Sequence, residues 1–202
     1  IGVGNGSPWN PDVRDPNSDG DNLFLSSILA VDADTGEYRW HYQTTPRDRW
    51  DYTATQQIML ADLPLGEGGA SRRVVMQAPK NGFFYVLDAA DGELISATPF
   101  TNQNWTTGEF DENGRPVLVE EAVDLALYAV VPGPTGAHNW HPMAFNPDTG
   151  LVYIPVNEIP FFYDKTRNVE DGKSYWNIGY DAAAGWPVEY PAGTLDAVAD
   201  LD

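Results

Sequence analysis

The chain is built from short apolar runs, each of which ends at Gly, Asp, Asn or Pro. Runs of this length that end in turn residues are typical of β-strands. We therefore predict strands over residues 23–32, 38–43, 72–77, 83–88 and 151–156. Segments rich in Gly, Asp, Asn and Pro predict loops over residues 12–22, 63–71 and 101–116. The aromatic but aperiodic stretch 157–191 predicts a long insertion or irregular loop.

One turn sequence recurs along the chain. Residues 30–40 fit the pattern A-x-D-x-x-T-G-x-x-x-W, and residues 86–92 and 144–150 fit its first part. The glycines of the three copies lie at positions 36, 92 and 150, which gives spacings of 56 and 58 residues. Such a period is typical of a β-propeller with about four strands per blade. Because Ser96 and Ile154 replace the Trp in the later copies, any one copy alone also fits an ordinary hairpin turn.

Composition supports the same fold class. The 202 residues include 7 Trp, 10 Tyr and 8 Phe together with 19 Gly and 16 Pro, a mixture that suits many short strands and turns around one core. We predict an all-β fold in which residues 1–202 form one partial β-propeller domain. Because the chain starts Ile-Gly-Val-Gly and ends without a clear terminal element, we expect both ends to be cuts through a longer protein.

Charge and cysteine content exclude several functions. A net charge of −19 argues against nucleic-acid binding, which needs Lys and Arg, and is compatible with either plain solubility or a divalent cation. No Cys is present, so these residues hold no disulfide, thiolate metal site or C-x-x-C-H haem site. No run of 18 apolar residues occurs, and no P-loop or dinucleotide-binding motif is present. If the chain belongs to an oxidoreductase, its redox cofactor is therefore not NAD.

Three short segments each place one ligand-capable side chain among Gly, Pro or aromatic residues. Asn5 lies between two glycines, Asp51 lies between Trp50 and Tyr52, and Lys80 follows Pro79 and precedes Asn-Gly. Asn5 supplies an amide oxygen suited to a hard cation. Asp51 supplies a carboxylate whose pKa burial would raise and a nearby cation would lower, as a general base beside a metal requires.

Each of these residues also has an ordinary structural interpretation. Asn5 fits a turn, Asp51 fits a capped strand end, and Lys80 fits a solvated turn. The segment 137–142 pairs two His with Asn139 and Trp140, and it fits packed side chains, a cofactor-contacting turn or, without a third ligand, half of a zinc site. The segment 15–20 mimics an EF-hand loop, but Ser26 stands where a Glu is needed, so we interpret it as a solvated loop.

Taken together, the segments resemble the quinoprotein alcohol dehydrogenases, which use pyrroloquinoline quinone (PQQ), and most closely the type I and type II ethanol enzymes. The resemblance runs nearly without interruption from Gly4 to about Tyr153. It is carried mainly by residues 4–10, 22–43, 50–56, 78–88 and 133–147. Any one segment is weak evidence, whereas all of them in order are strong evidence.

The resemblance implies an eight-bladed propeller with PQQ and a calcium ion near its axis. By this resemblance Asn5 is an amide ligand of calcium, and Asp51 is the catalytic base, also close to the metal. Lys80 is the cation beside the quinone carbonyls, where the methanol enzymes have Arg, and Asn139 and Trp140 belong to the cofactor wall. In the lanthanide-using relatives a second Asp follows the base by two residues. Thr53 occupies that position here, which favours calcium.

The implied reaction is oxidation of an alcohol to an aldehyde, with proton transfer to Asp51 and hydride transfer to C5 of the quinone, whose carbonyl calcium polarises. The implied partners are a small primary or secondary alcohol and cytochrome c or a similar electron acceptor. The implied location is the bacterial periplasm, and type II enzymes add a C-terminal haem c domain.

Several residues of the family pattern are missing from this chain. The calcium-binding Glu, the adjacent-cysteine ring and the Trp beneath PQQ belong to earlier blades, so we expect this chain alone to be inactive. Two alternatives stay open: a non-catalytic propeller scaffold with the same repeat, and a PQQ-dependent sugar or polyol dehydrogenase.

Overall fold

A computed structural model describes residues 1–6, 8–124 and 126–164, and almost all of their regular structure is β. Two short α-helices, α1 (Pro11–Arg14) and α2 (Glu120–Asp124), and a 3₁₀ turn at Glu67–Gly69 interrupt the strands. The strands are β1 (Gly2–Val3), β2 (Ser27–Val31), β3 (Tyr38–Gln43), β4 (Met59–Leu63), β5 (Arg72–Gln77), β6 (Phe83–Asp88), β7 (Leu94–Pro99), β8 (Thr106–Phe110), β9 (Pro116–Leu118), β10 (Ala126–Val130), β11 (Ala144–Asn146), β12 (Leu151–Tyr153) and β13 (Phe161–Asp164).

The central unit is an antiparallel four-stranded sheet in the order β4-β5-β6-β7. Its two inner strands pair in register, with Val75 opposite Leu87 and Met76 opposite Val86. Successive side chains of a strand point to opposite faces, and both faces of this sheet are apolar. The sheet is therefore covered on both sides, as a propeller blade between two neighbours is.

Each face of this sheet packs against a different neighbour. On one face, Val75 and Leu87 lie in the main core with Trp40 of the sheet β1-β2-β3. On the other face, Val74 and Met76 pack with Phe145 and Val152 of the β11-β12 hairpin. The alternation of side chains along β5 and β6 thus lets this sheet pack between two others, β1-β2-β3 on one face and β11-β12 on the other.

The three repeated turns share one hydrogen-bond pattern. The side-chain oxygen of Asp32 accepts from the backbone N–H groups of Asp34 and Thr35, at 3.1 and 3.0 Å. Asp88 accepts likewise from Ala90 at 2.6 Å, and Asn146 accepts from residues 148 and 149 at 2.9 and 3.3 Å. This common geometry supports the repeat inferred from sequence, because an Asp or Asn that caps its own turn is what the pattern encodes.

The Trp that ends the first repeat packs on the turn of the second. Trp40 Nε1 donates to the backbone oxygen of Ala89 at 3.1 Å. At Gly92, where φ is +80°, an added Cβ would lie 2.5 Å from Trp40 Cε3. Only Gly fits this position, both for its backbone conformation and for the close approach of the indole. Trp40 therefore links adjacent sheets near the turns.

The predicted strands 38–43, 72–77 and 83–88 are confirmed to the residue as β3, β5 and β6. Two predicted strands are shorter than expected: β2 begins only at Ser27, after a turn, and β12 ends at Tyr153. Both excess segments contain apolar residues whose backbones do not pair with a neighbouring strand. The 3₁₀ turn and all of helix α1 except Pro11 lie within predicted loops.

Two predictions of irregular structure were wrong. The segment 101–116 contains β8, which pairs with β9 so that Thr106 lies opposite Leu118. Its sequence Thr-Thr-Gly-Glu-Phe lacks apolar alternation, because most of this strand is exposed. Residues 161–164 form β13, which pairs with β10. The rest of the predicted insertion, after Asp164, lies outside the described residues. Among the residues described, no helix is long and apolar enough to cross a membrane.

Candidate active site

The predicted base Asp51 lies in a loop that is organised by a second carboxylate, Asp48. Asp48 Oδ1 accepts from the backbone N–H of Trp50 at 3.0 Å, and Oδ2 accepts from that of Tyr52 at 2.9 Å. Asp51 lies between these two donors, with a left-handed φ of +64°. Asp and Asn adopt this conformation more readily than most residues. The Asp51 carboxylate therefore projects from a loop whose backbone is hydrogen-bonded to Asp48 on both sides of Asp51.

Three aromatic side chains form a rigid support beside this loop. Trp50, Tyr52 and Trp105 are fully buried, with ring centroids 5.4–5.5 Å apart. Their polar atoms are all satisfied: the indole nitrogens of Trp50 and Trp105 donate to backbone oxygens at 3.2 and 2.8 Å, and the Tyr52 hydroxyl donates to the Pro132 oxygen. Because the residues on both sides of Asp51 are anchored in the core, its position is determined by packing.

Lys80 enters the site from the turn between β5 and β6. The turn is anchored by Asn81, whose Nδ2 donates to the Thr44 oxygen at 3.1 Å and the Tyr85 hydroxyl at 2.8 Å. Lys80 Nζ lies 2.8 Å from Asp51 Oδ2. Only 10% of the Lys80 side chain and 19% of the Asp51 side chain are exposed. The structure thus joins two predicted site residues as a largely desolvated ion pair.

Burial raises the pKa of both carboxyls, and neighbouring groups change that rise differently in each. Burial raises the pKa of Asp51, and the Lys80 charge and hydrogen bond oppose that rise. Burial raises the pKa of Asp48 to about 6; the hydrogen bond from the Trp50 N–H opposes the rise, and the Asp51 charge adds to it. Two carboxyls with raised pKa values, one of them beside a cation, are typical of a catalytic or ligand-binding site.

Asn5 joins this cluster through Asp48. Its Nδ2 donates to Asp48 Oδ2, and its Oδ1 accepts from the Gly6 N–H at 2.7 Å. The amide oxygen has a further lone pair, so Asn5 and Asp51 offer the oxygen donors that a hard cation prefers. Within the described parts of the chain no three His, Cys, Asp or Glu residues are grouped as metal ligands. These residues therefore fit part of a calcium site, and Ca²⁺, which takes 6–8 oxygens, would need more.

The loop 133–139 packs on Lys80 from the other side. An added Cβ at Gly136, where φ is +82°, would lie 2.5 Å from Lys80 Cγ, so the loop requires Gly here. Asn139 Nδ2 donates to the Thr135 oxygen at 2.8 Å, while Asn139 Oδ1 and Thr135 Oγ1 are buried without a hydrogen-bond partner. A buried polar atom without a partner suits a ligand contact. These two oxygens therefore fit the wall of a polar cofactor site next to Lys80.

The family of the chain follows from comparison with known proteins. Residues 3–104 match the family model of the PQQ glucose/ethanol/alcohol dehydrogenase β-propeller domain. The chain belongs to this family. It is 54% identical over 197 residues to the quinohemoprotein alcohol dehydrogenase of Comamonas testosteroni, covering 95% of this chain and 27% of that protein. It is 57% identical over 170 residues to ADH-IIG of Pseudomonas putida, covering 81% and 23%.

Solved structures of two alcohol-oxidising dehydrogenases share the fold. The Comamonas testosteroni quinohemoprotein alcohol dehydrogenase superposes with a TM-score of 0.83 at 45% identity, over 95% of this chain and 29% of that one. A europium-containing methanol dehydrogenase superposes with a TM-score of 0.75 at 34% identity, over 89% and 30%. The described strands are thus part of a β-propeller, and the chain spans about a quarter of the length of the relatives that it matches.

Of the predicted site residues, the structure joins Asp51 and Lys80 directly, links Asn5 to the Asp51 loop through Asp48, and places Asn139 on the loop that packs on Lys80. Trp140 differs, because 89% of it is exposed and it does not pack into the cluster. Its role in a cofactor wall stays a prediction. Of the two His in the segment 137–142, His141 is exposed, whereas His138 has the packed interpretation: it is buried, with Nδ1 2.6 Å from the Ala78 oxygen and Nε2 2.7 Å from the His141 oxygen. Both ring nitrogens are thereby engaged by backbone.

Sequence reasoning missed Asp48, the residue on which the loop depends. It stands between Arg47 and Arg49, which favours interpretation as a solvated charged loop. A usable signal did exist. An Asp two residues before a buried Trp can accept that residue's backbone N–H, as in a side-chain-capped turn. Its contact with Asn5, 43 residues earlier in the chain, has no sequence signal.

Proposed function

We propose that the full-length protein is a PQQ- and calcium-dependent alcohol dehydrogenase in which Asp51 is the general base. The observation that carries the proposal is the buried ion pair between Asp51 Oδ2 and Lys80 Nζ, at 2.8 Å. Family membership supports PQQ as the cofactor, since the matching family model is that of PQQ dehydrogenases. The ion pair supplies the two charges that oxidation of an alcohol by a quinone requires: an acceptor for the proton and a cation for the developing oxyanion.

In this proposal Asp51 accepts the hydroxyl proton of the alcohol. Burial raises its pKa and so makes it a stronger base, while Lys80 limits the rise and keeps the carboxylate available. When bound, PQQ would supply the redox chemistry as the acceptor of the carbinol hydride, and the alcohol would become an aldehyde or ketone. Lys80 would donate to a quinone oxygen. Asn139 Oδ1 and Thr135 Oγ1 offer further polar contacts on the same side.

Asn5 and Asp51 would supply two oxygen ligands to calcium, whose chemistry is that of a Lewis acid. The position two residues after Asp51 is Thr53, so the second Asp of the lanthanide-using relatives is absent there. We therefore favour calcium over a lanthanide, although the methanol dehydrogenase with a similar fold contains europium. The remaining ligands would come from parts of the protein outside this chain.

The names of relatives suggest the substrate and the electron acceptor. One relative, 45% identical over 201 residues, is the 1-butanol dehydrogenase (cytochrome c) of Thauera butanivorans, and two others are quinohemoproteins. For this protein we propose a small primary or secondary alcohol, a cytochrome c or similar acceptor, and a periplasmic location. Haem c would be carried, if at all, outside these residues, because they contain no Cys.

The test is alcohol-dependent dye reduction by the full-length protein without NAD, comparing apoenzyme with enzyme given PQQ, calcium or both. Activity only with both additions supports the proposal. PQQ binding without oxidation of any alcohol would instead point to a sugar or polyol substrate. A folded protein that binds no PQQ would overturn the enzymatic assignment and favour a scaffold propeller.

A further inference from the structure

Asp48 is the only carboxylate among the described residues that touches both the Asn5 side chain and the backbone on either side of Asp51. We propose that it is the positioning residue of the site, which holds Asn5 and Asp51 in a metal-ready arrangement before any cation binds. The inference rests on the proposed function to the extent that Asn5 and Asp51 are taken as cation ligands.

The first part of the argument is burial. None of the Asp48 surface is exposed, so this carboxylate cannot reach substrate and acts only through its neighbours. Four donors converge on it: the N–H groups of Trp50 and Tyr52, the Asn5 amide, and Ser26 Oγ at 3.4 Å. A buried carboxylate is costly unless it is well hydrogen-bonded. The local structure is therefore built around this group.

The second part concerns Asp51. Its φ of +64° lies in the left-handed region, which Asp adopts more readily than most residues but at a free-energy cost that local hydrogen bonds can offset. Asp48 accepts hydrogen bonds from the backbone N–H of Trp50, which precedes Asp51, and from that of Tyr52, which follows it. These two bonds bracket Asp51 and set the direction in which its carboxylate leaves the backbone.

The third part concerns Asn5. An ionised carboxylate only accepts hydrogen bonds, so it must face the Nδ2 end of the amide. This contact and the Gly6 N–H, which donates to Oδ1 at 2.7 Å, together set which way the Asn5 amide is turned, with Oδ1 away from Asp48. Without Asp48, only the Gly6 N–H would oppose a rotation that presents N–H groups to a cation. One buried carboxylate thus orients the oxygen of one ligand and the backbone of the other.

The decisive variant is Asp48→Asn in the full-length protein, because both oxygens of Asp48 accept hydrogen bonds and its new NH2 group would meet a donor in either orientation. We expect the calcium affinity of the PQQ-loaded protein, measured by calorimetric titration, to fall about 10–100-fold. The reversed pair Asn5→Asp/Asp48→Asn restores the hydrogen bond with opposite polarity and keeps a carboxylate oxygen for the ion. We expect it to recover most of the lost affinity. The single variant Asn5→Asp measures how much of that recovery the added carboxylate charge alone provides, and only the remainder reports the restored contact.

The matched control is Asp88→Asn. Asp88 is also buried and also accepts the backbone N–H two residues ahead, but it lies at the far end of β6 from Lys80. Its substitution is expected to leave calcium affinity unchanged. Hydrogen exchange in the metal-free protein provides a second measurement, in which the amides of Trp50 and Tyr52 should exchange faster in Asp48→Asn than in Asp88→Asn.

Unchanged calcium affinity and unchanged exchange in Asp48→Asn would overturn the proposal, as would failure of the reversed pair to recover any affinity. If Asp48→Asn does not fold, the reversed pair decides alone: near-normal calcium affinity supports the proposal and its loss overturns it. A wild-type protein that binds calcium but oxidises no alcohol would overturn the proposed function and leave this comparison intact.

Discussion

Lys80 Nζ and Asp51 Oδ2 are 2.8 Å apart although the two residues are separated by 29 positions in the chain. One comes from the turn between β5 and β6 and the other from the loop that precedes β4. Because the pair is largely buried, each charge is stabilised mainly by the other and only slightly by water. The pKa of the proposed base therefore depends on Lys80. We expect variants of Asp51 to lower kcat and variants of Lys80 to shift the pH dependence.

Asp51→Asn is expected to lower kcat about 10²–10⁴-fold, the usual cost of losing a general base. The fold should persist, because Asn tolerates the left-handed backbone at this position and its Oδ1 can still accept from Lys80. Steady-state dye reduction together with thermal unfolding checks both statements. Asp62→Asn, which removes an exposed carboxylate on β4, is the control. An Asp51→Asn enzyme with most of its activity would remove Asp51 from the mechanism.

Lys80→Gln is expected to move the acidic limb of the kcat/KM profile to higher pH. The reason is the sign of the interaction: the Lys80 charge lowers the pKa of Asp51, so its removal lets that pKa rise further and more of the base is protonated at a given pH. Lys80→Arg keeps the positive charge, and its limb should stay near that of the wild type. The pH dependence of kcat/KM for the three proteins provides the measurement, and identical limbs would contradict the argument.

Asn5→Ala is expected to raise the calcium concentration needed for half-maximal activity. It removes one oxygen ligand and also the donor that faces the buried Asp48 carboxylate. Calcium titration of the apoenzyme in the presence of PQQ measures the effect. Asn146→Ala, which removes the amide of a repeat turn, should leave the titration unchanged. An unaltered calcium dependence in Asn5→Ala would exclude Asn5 from the metal site.

Gly92→Ala is expected to destabilise the protein more than Gly36→Ala. Both glycines have positive φ, +80° and +74°, so each substitution carries a backbone cost of roughly 1–2 kcal/mol. Only at Gly92 would the new Cβ collide with Trp40, and overpacking typically adds about 1–3 kcal/mol. Chemical denaturation of the two variants tests the difference. Equal destabilisation would show that Trp40 moves aside freely.

The β-architecture could be predicted from the sequence in considerable part. Local chemistry determined the three repeat turns, since an Asp or Asn that accepts from its own following N–H groups needs no distant partner. Strands β5 and β6 were equally predictable from sequence, because both of their faces are buried and most of their residues are apolar. Strand β8 was not, because an exposed strand with a polar sequence carries no apolar pattern.

The candidate site, like the fold, could be predicted from the sequence only in part. The sequence by itself singled out Asn5, Asp51 and Lys80, because each is a polar residue in a setting of Gly, Pro or aromatic residues. Only the tertiary structure decided that Asp51 pairs with Lys80, that Asp48 binds the Asn5 amide, and that Trp140 is exposed. Composition and turn chemistry act over a few residues and can be read along the chain. Contacts across 29 and 43 positions arise only when packed sheets bring separate loops together, and they are therefore properties of the fold.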